Sequence, residues 1–226
     1  MEQRSIPAVF RTAIFDFDGT IIDSSDAVLE VMEKLAEQYG FRALSAEELA
    51  ELRTKPLAER LRIMGIPKWK VPGMARTALR HFSELMDRFP LYEGMGSVIE
   101  DAAASGMDLF ILSSNNRKNI DRCLARYNIT DFRAVRTASG LFSKARYLKR
   151  MVRRFRIDSS SAVYIGDELR DVEAAHAAGL QAIAVTWGYD DRPLLETGNP
   201  DHIADTVEEL RALLLPASHT GHSEPI

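Results

Sequence analysis

The sequence predicts a doubly wound α/β fold: a Rossmann-like parallel sheet with helices on both faces and a small α-helical cap domain inserted after the first strand. Three observations point there. Short β-rich runs alternate with segments of helical periodicity, as a parallel sheet with crossover helices requires. One long stretch after the first run carries helical patterns and no convincing strand. The reactive side chains fall where the runs end, and open α/β sheets bind ligands at the carboxyl ends of their strands.

The runs are "TAIFDF" from Thr12, "MDLFILS" from Met107, "FRAVRT" from Phe132, "SAVYIG" from Ser161 and "QAIAVTW" from Gln181. Helical patterns follow at 116–127, 144–155 and 171–178, the last ahead of Gly179, a residue suited to a helix stop. The stretch from 24 to 89 is far longer than the ~2–6 residues of an ordinary α/β connection. The expected organisation is therefore a core of 11–22 and 90–215, a cap of 23–89, and flexible tails at 1–10 and 216–226, the second of them polar. Trp69, between Lys68 and Lys70, is expected to anchor the small core of the cap.

Composition narrows the function classes. The 226 residues are 46% hydrophobic and 27% charged, enough for a sizeable core. A net charge of -4 gives no basic footprint for nucleic acid. The basic run at 146–156 carries Leu148, Met151, Val152 and Phe155 at helical spacing, so it reads as the solvated face of a packed helix. The single Cys123 excludes a disulfide framework and reads as a packed residue, while the five histidines lack metal-ligand spacing. No apolar run approaches the ~18 residues of a membrane span, and no export signal is read, so a cytoplasmic protein is expected, monomer or homodimer. "GMGSVIEDAAASG" from Gly94 lacks the third glycine and the preceding strand of a dinucleotide fingerprint, leaving a loop and a helix start.

Four segments converge at the strand ends: "DFDGT" with Asp16, Asp18, Gly19 and Thr20; "SSN" with Ser113, Ser114 and Asn115; Lys144; and "GDELRD" with Asp167 and Asp171. In this order they resemble the four motifs of the haloacid dehalogenase superfamily of phosphotransferases. The stretch "YIGDELRDVEAAHAAGLQAIAVTWGY" is similar to the phosphoglycolate phosphatase-like branch. The resemblance runs from Ala13 to Leu214.

The chemistry fits beside it. An aspartate carboxylate is a known nucleophile for phosphoryl transfer, and Asp16 takes that role. Like-charge repulsion then calls for a cation, and Mg²⁺ favours carboxylate oxygens, here Asp16 and Asp167. The resemblance adds the backbone carbonyl of Asp18 as a ligand and Asp171 through a metal-bound water. Asp18 is the acid that protonates the leaving alkoxide and the base that then activates water. Ser113 and the Ser114 N–H bind the phosphoryl oxygens, with Gly19, Thr20 and Asn115 beside them, and Lys144 supplies positive charge. Glu168 is assigned to a helix first turn rather than to the metal. The resemblance also implies that Arg53 and Lys55, around Pro56 in the cap, lie on a loop that faces the site and reads the leaving group. The expected partner is a small-molecule phosphate ester. A mutase of the β-phosphoglucomutase type is the alternative, and a non-catalytic binding module a further one.

Overall fold

The computed structural model describes residues 10–138 and 143–215. The two tails read as flexible lie outside them, except that Phe10 is described and is buried. Among the described residues six strands, β1 (Thr12–Phe15), β2 (Asp108–Ser113), β3 (Phe132–Thr137), β4 (Ala162–Gly166), β5 (Gln181–Val185) and β6 (His202–Ala204), form one all-parallel sheet in the order β3-β2-β1-β4-β5-β6. This is a doubly wound order, with β1 at the centre where the winding reverses. All four residues of β1 and all five of β4 are buried, as strands covered on both faces must be.

Side chains alternate between two apolar layers. Phe15, Ile111, Ile165 and Ile183 point to one, shared with α5 (Met95–Ala104), α6 (Arg117–Arg126) and α10 (Val207–Leu214). Ile14, Phe110, Tyr164 and Ala182 point to the other, covered by Leu148 and Met151 of α7 (Lys144–Phe155) and by Val172 and Ala175 of α8 (Leu169–Ala178). Helix α8 ends at Gly179, whose φ of 76° is the left-handed conformation a helix stop uses. The short α9 (Arg192–Glu196) precedes β6.

Between β1 and α5 the chain is helical: α1 (Ser25–Tyr39), α2 (Ala46–Leu52), α3 (Leu57–Ile63) and α4 (Val71–Leu85). Helix α1 packs on α4, and Val31, Leu35, Met74 and Leu85 join the apolar layer that contains Phe15. Trp69 does not anchor this packing. It sits in a single 3₁₀ turn after Pro67, is 77% exposed, and has the Lys70 ammonium over its ring. In this turn the indole faces solvent, and the buried residues of the helices, Val31, Leu35, Met74 and Leu85 among them, supply the core instead. Among the described residues no helix is long and apolar enough to cross a membrane.

Candidate active site

The register sets the site. Phe15 is paired with Ile111 on one side and Ile165 on the other, so β1, β2 and β4 end side by side. Asp16, Ser113 and Asp167 lie at or just beyond those ends, and the Asp16 N–H still donates to the Ile165 carbonyl (2.8 Å).

Lys144, the first residue of α7, is carried into the site by the face of that helix that buries Leu148 and Met151. It is 3% exposed, and its ammonium lies 2.6 Å from Asp16 Oδ2 and 2.5 Å from Asp171 Oδ1. Burial works against the ammonium, but the two carboxylates more than offset it and hold its pKa well above the usual lysine range. Asp171 also receives the Glu168 N–H on Oδ2.

Asp18 meets the end of β2. The Asn115 amide donates to both of its oxygens (2.9 and 3.1 Å), and the Ser113 hydroxyl lies 3.4 Å from Oδ2 while accepting the Asn115 N–H. Burial, with Asp16 adding to it, pushes the Asp18 pKa up to about 7, against the pull of the Asn115 hydrogen bond.

Asp167 is fully buried and spoken for on both oxygens: Oδ1 accepts from the Thr20 hydroxyl (2.8 Å), Oδ2 from the Tyr189 N–H (2.8 Å). Two glycines make room for it. A Cβ on Gly19, whose φ is 75°, would fall 2.2 Å from Asp167 Oδ2, and one on Gly188 would fall 2.3 Å from its Cβ. The Thr20 hydroxyl is thus committed to Asp167, and its carbonyl accepts the Trp187 indole N–H.

Glu168 is the N-cap of α8, as a helix-start charge is, and it also borders the carboxylate cluster. One oxygen each from Asp16, Glu168 and Asp171 lie within 4.8 Å of one another, a spacing that one cation can bridge. The Arg170 guanidinium grips Glu168 from the other side, with Nε 2.7 Å away. Asp16, Asp18, Asp167, Glu168 and Asp171 therefore gather against the two cations Lys144 and Arg170, an excess of negative charge in a buried place. Burial, together with Glu168 and Asp16, drives the Asp167 pKa well above the carboxylate range. Asp16 Oδ1 is buried with no hydrogen-bond partner, as is Ser114 Oγ, and no other buried side-chain atom among the described residues shares that condition. Buried polar atoms are rarely left so.

The loop between α2 and α3 meets the loop after β5. Arg53 donates to the carbonyls of Gly188 (2.8 Å) and Tyr189 (3.2 Å), and its own carbonyl accepts the Asp191 N–H. Arg60 pairs with Asp190, which also accepts the Leu169 N–H (2.7 Å). Lys55 is exposed, and its carbonyl accepts from Arg60 Nε. A pocket of about 190 Å³ lies here, lined by Pro56, Leu57, Arg60, Glu168, Arg170 and Asp190 among others. Arg60, Glu168, Tyr189 and Asp190 were not singled out as site residues by sequence. The acidic run "GDELRD" signals Glu168, but nothing local marks the other three.

Comparison with known proteins agrees with this geometry. The model of the haloacid dehalogenase-like hydrolase family matches residues 13–185. A phosphoglycolate phosphatase of Synechococcus elongatus is 33% identical over 198 residues, 87% of this chain and 93% of that protein. The tyrosine-protein kinase PtkA of Mycobacterium tuberculosis is 24% identical over 89% of this chain and 71% of its own length. Among solved structures, a "predicted phosphatase" from Clostridium acetobutylicum superposes with a TM-score of 0.78 at 20% identity, covering 92% of this chain and 99% of its own.

Proposed function

Because the chain belongs to the haloacid dehalogenase-like hydrolase family, we propose that it is a Mg²⁺-dependent phosphatase acting on a small-molecule phosphate monoester through a phosphoryl group carried on Asp16. The observation that carries the reading is the buried, partnerless Oδ1 of Asp16, whose other oxygen is held by Lys144. A carboxylate fixed at one end and bare at the other is set for attack or for a metal.

The donor set suits Mg²⁺: Asp16, the backbone carbonyl of Asp18, and Asp167, whose oxygens each keep a lone pair after accepting from Thr20 and Tyr189, would hold it, with Glu168 and Asp171 alongside. When bound, the ion neutralises part of the negative charge that otherwise repels a phosphate dianion.

The residues then divide the work. An Asp16 oxygen attacks phosphorus and the bond from phosphorus to the leaving oxygen breaks. The Asp18 carboxyl gives its proton to that oxygen, releasing the alcohol. Water next attacks the aspartyl-phosphate, its proton passes to Asp18, and the departing phosphate restores the Asp16 carboxylate. Lys144 keeps Asp16 oriented and stabilises charge on the transferring group, and Ser113 and Ser114 bind its oxygens. The seating of the α2–α3 loop on the loop after β5 excludes stray water, with Arg53 fastening it through the Gly188 and Tyr189 carbonyls, and Lys55, exposed beside it, is the side chain placed to meet the leaving group.

The identity with the Synechococcus elongatus enzyme puts phosphoglycolate first among substrates to test. Purified protein with Mg²⁺ is assayed for phosphate release against phosphoglycolate, sugar phosphates, nucleoside monophosphates and pyrophosphate. One ester preferred in kcat/KM supports the reading; no phosphate release from any of them overturns it.

A further inference from the structure

We propose that Asn119 is a positioning residue which, together with Ser83 of α4, holds the Asn115 amide on Asp18, so that proton delivery to the leaving group is coupled to the seating of the helical insertion. The inference rests on the phosphatase reading for its kinetic consequence and on geometry for its existence.

The chain of hydrogen bonds has a forced direction. The Ser83 hydroxyl has one proton, and it goes to the Leu79 carbonyl one turn back in α4 (2.7 Å). Ser83 Oγ therefore accepts at its other contacts, from Asn119 Nδ2 (2.7 Å) and Asn116 Nδ2 (3.0 Å). That fixes which end of the Asn119 amide is nitrogen, and the same nitrogen gives its second proton to Asn115 Oδ1 (2.8 Å). The Asn116 backbone N–H, which is only a donor, meets the same Asn115 oxygen (2.7 Å). With its oxygen pinned twice, Asn115 turns its nitrogen to Asp18 and donates to both carboxylate oxygens. A reversed amide would set oxygen against carboxylate.

Asn115 and Asn119 are 2% and 4% exposed, so water cannot replace these bonds cheaply. Neither amide is needed for packing alone: on the buried face of α6, beside Ile120, Cys123 and Leu124, an apolar residue would serve Asn119's site better unless its hydrogen bonds are used. The network starts in α4, which packs on α1, and ends at the proposed acid. A shift of α4 that separates Ser83 from Asn119 takes away the acceptor that orients the Asn119 amide, and so loosens one of the two donors that pin Asn115.

The experiment compares two substrates on each variant, phosphoglycolate as an ester of a poor leaving group and p-nitrophenyl phosphate as an ester of a good one. In Asn119→Leu the kcat for phosphoglycolate falls about tenfold or more with little change in KM, while that for p-nitrophenyl phosphate falls less than about threefold, since an aryl oxide needs less protonation. Ser83→Val reproduces the altered ratio, and Ser83→Thr, which restores the hydroxyl, returns it toward that of the wild type. In parallel, the side-chain amide resonances of Asn115, assigned by NMR, move in Asn119→Leu and in Ser83→Val but not in Ser83→Thr. Equal loss on both substrates, or unchanged Asn115 resonances, overturns the proposal. A wild-type protein inert to every phosphate ester overturns the phosphatase reading instead, and the Asn115 resonances then decide the positioning role by themselves.

Discussion

The Lys144 ammonium lies 2.6 Å from Asp16 Oδ2, joining two residues 128 positions apart in the chain. Both are buried, and the lysine is shared with Asp171. Removing it leaves two carboxylates facing each other without compensation and takes charge away from the place where the transferring phosphoryl group would sit. Lys144→Ala is expected to lower kcat by more than about tenfold. Lys149→Ala, on the exposed side of the same helix, is the control and should stay near wild type. Steady-state kinetics on both variants checks this, and equal behaviour would contradict it.

Metal removal gives the second prediction. Activity should disappear in a chelator and return with Mg²⁺, while Ca²⁺, which takes more ligands at longer distances, should inhibit. Asp167→Asn should raise the Mg²⁺ concentration for half-maximal activity more than Glu168→Gln does, because Asp167 is anchored by Thr20 and Tyr189 whereas Glu168 is drawn toward Arg170. Titration of activity with Mg²⁺ ranks the two. The reverse order would make the cluster of Asp16, Glu168 and Asp171 the principal metal site.

How much of this could be read beforehand varies by residue. The burial of Lys144 was written in the chain: it precedes Leu148 and Met151 by four and seven positions, which puts all three on one face of α7. The strand ends that bear Asp16, Ser113 and Asp167 were equally readable, because their buried runs are continuous and bounded. Strand β6, three residues long, has no room to show a period. Glu168 stands at the N-cap of α8, at the helix start where it is expected, and its approach to Asp16 is a tertiary contact that no local pattern marks. Tyr189 and Asp190 could not be found at all: their roles arise from a loop closing on Asp167 and Arg60, contacts that span 22 and 130 positions. Trp69 failed because aromatic size argues for burial only when the local backbone turns the ring inward.

The pairing of Arg60 with Asp190 links α3 to the loop after β5, with side chains 15% and 6% exposed. A buried pair broken on one side leaves an uncompensated charge, so Arg60→Ala should destabilise the fold by about 3 kcal/mol. Replacing both, as Arg60→Met with Asp190→Leu, should cost less than the single change although the Leu169 N–H loses its acceptor. Urea denaturation of the three proteins measures this. A loss under about 0.5 kcal/mol in Arg60→Ala, the range of ordinary surface changes, would show that the pair does not hold the two elements together.

The central claim is that Asp16 carries the phosphoryl group and Asp18 moves the proton, and it is tested most directly by trapping the intermediate. Asp18→Asn keeps the nucleophile and lacks the base that activates water, so an activated donor such as acetyl phosphate should load Asp16 and leave it loaded. Intact-protein mass spectrometry after acid quench is predicted to show one added phosphoryl group in Asp18→Asn and none in Asp16→Asn. A labelled Asp16→Asn protein, or an Asp18→Asn protein whose label maps to another residue, would contradict the account.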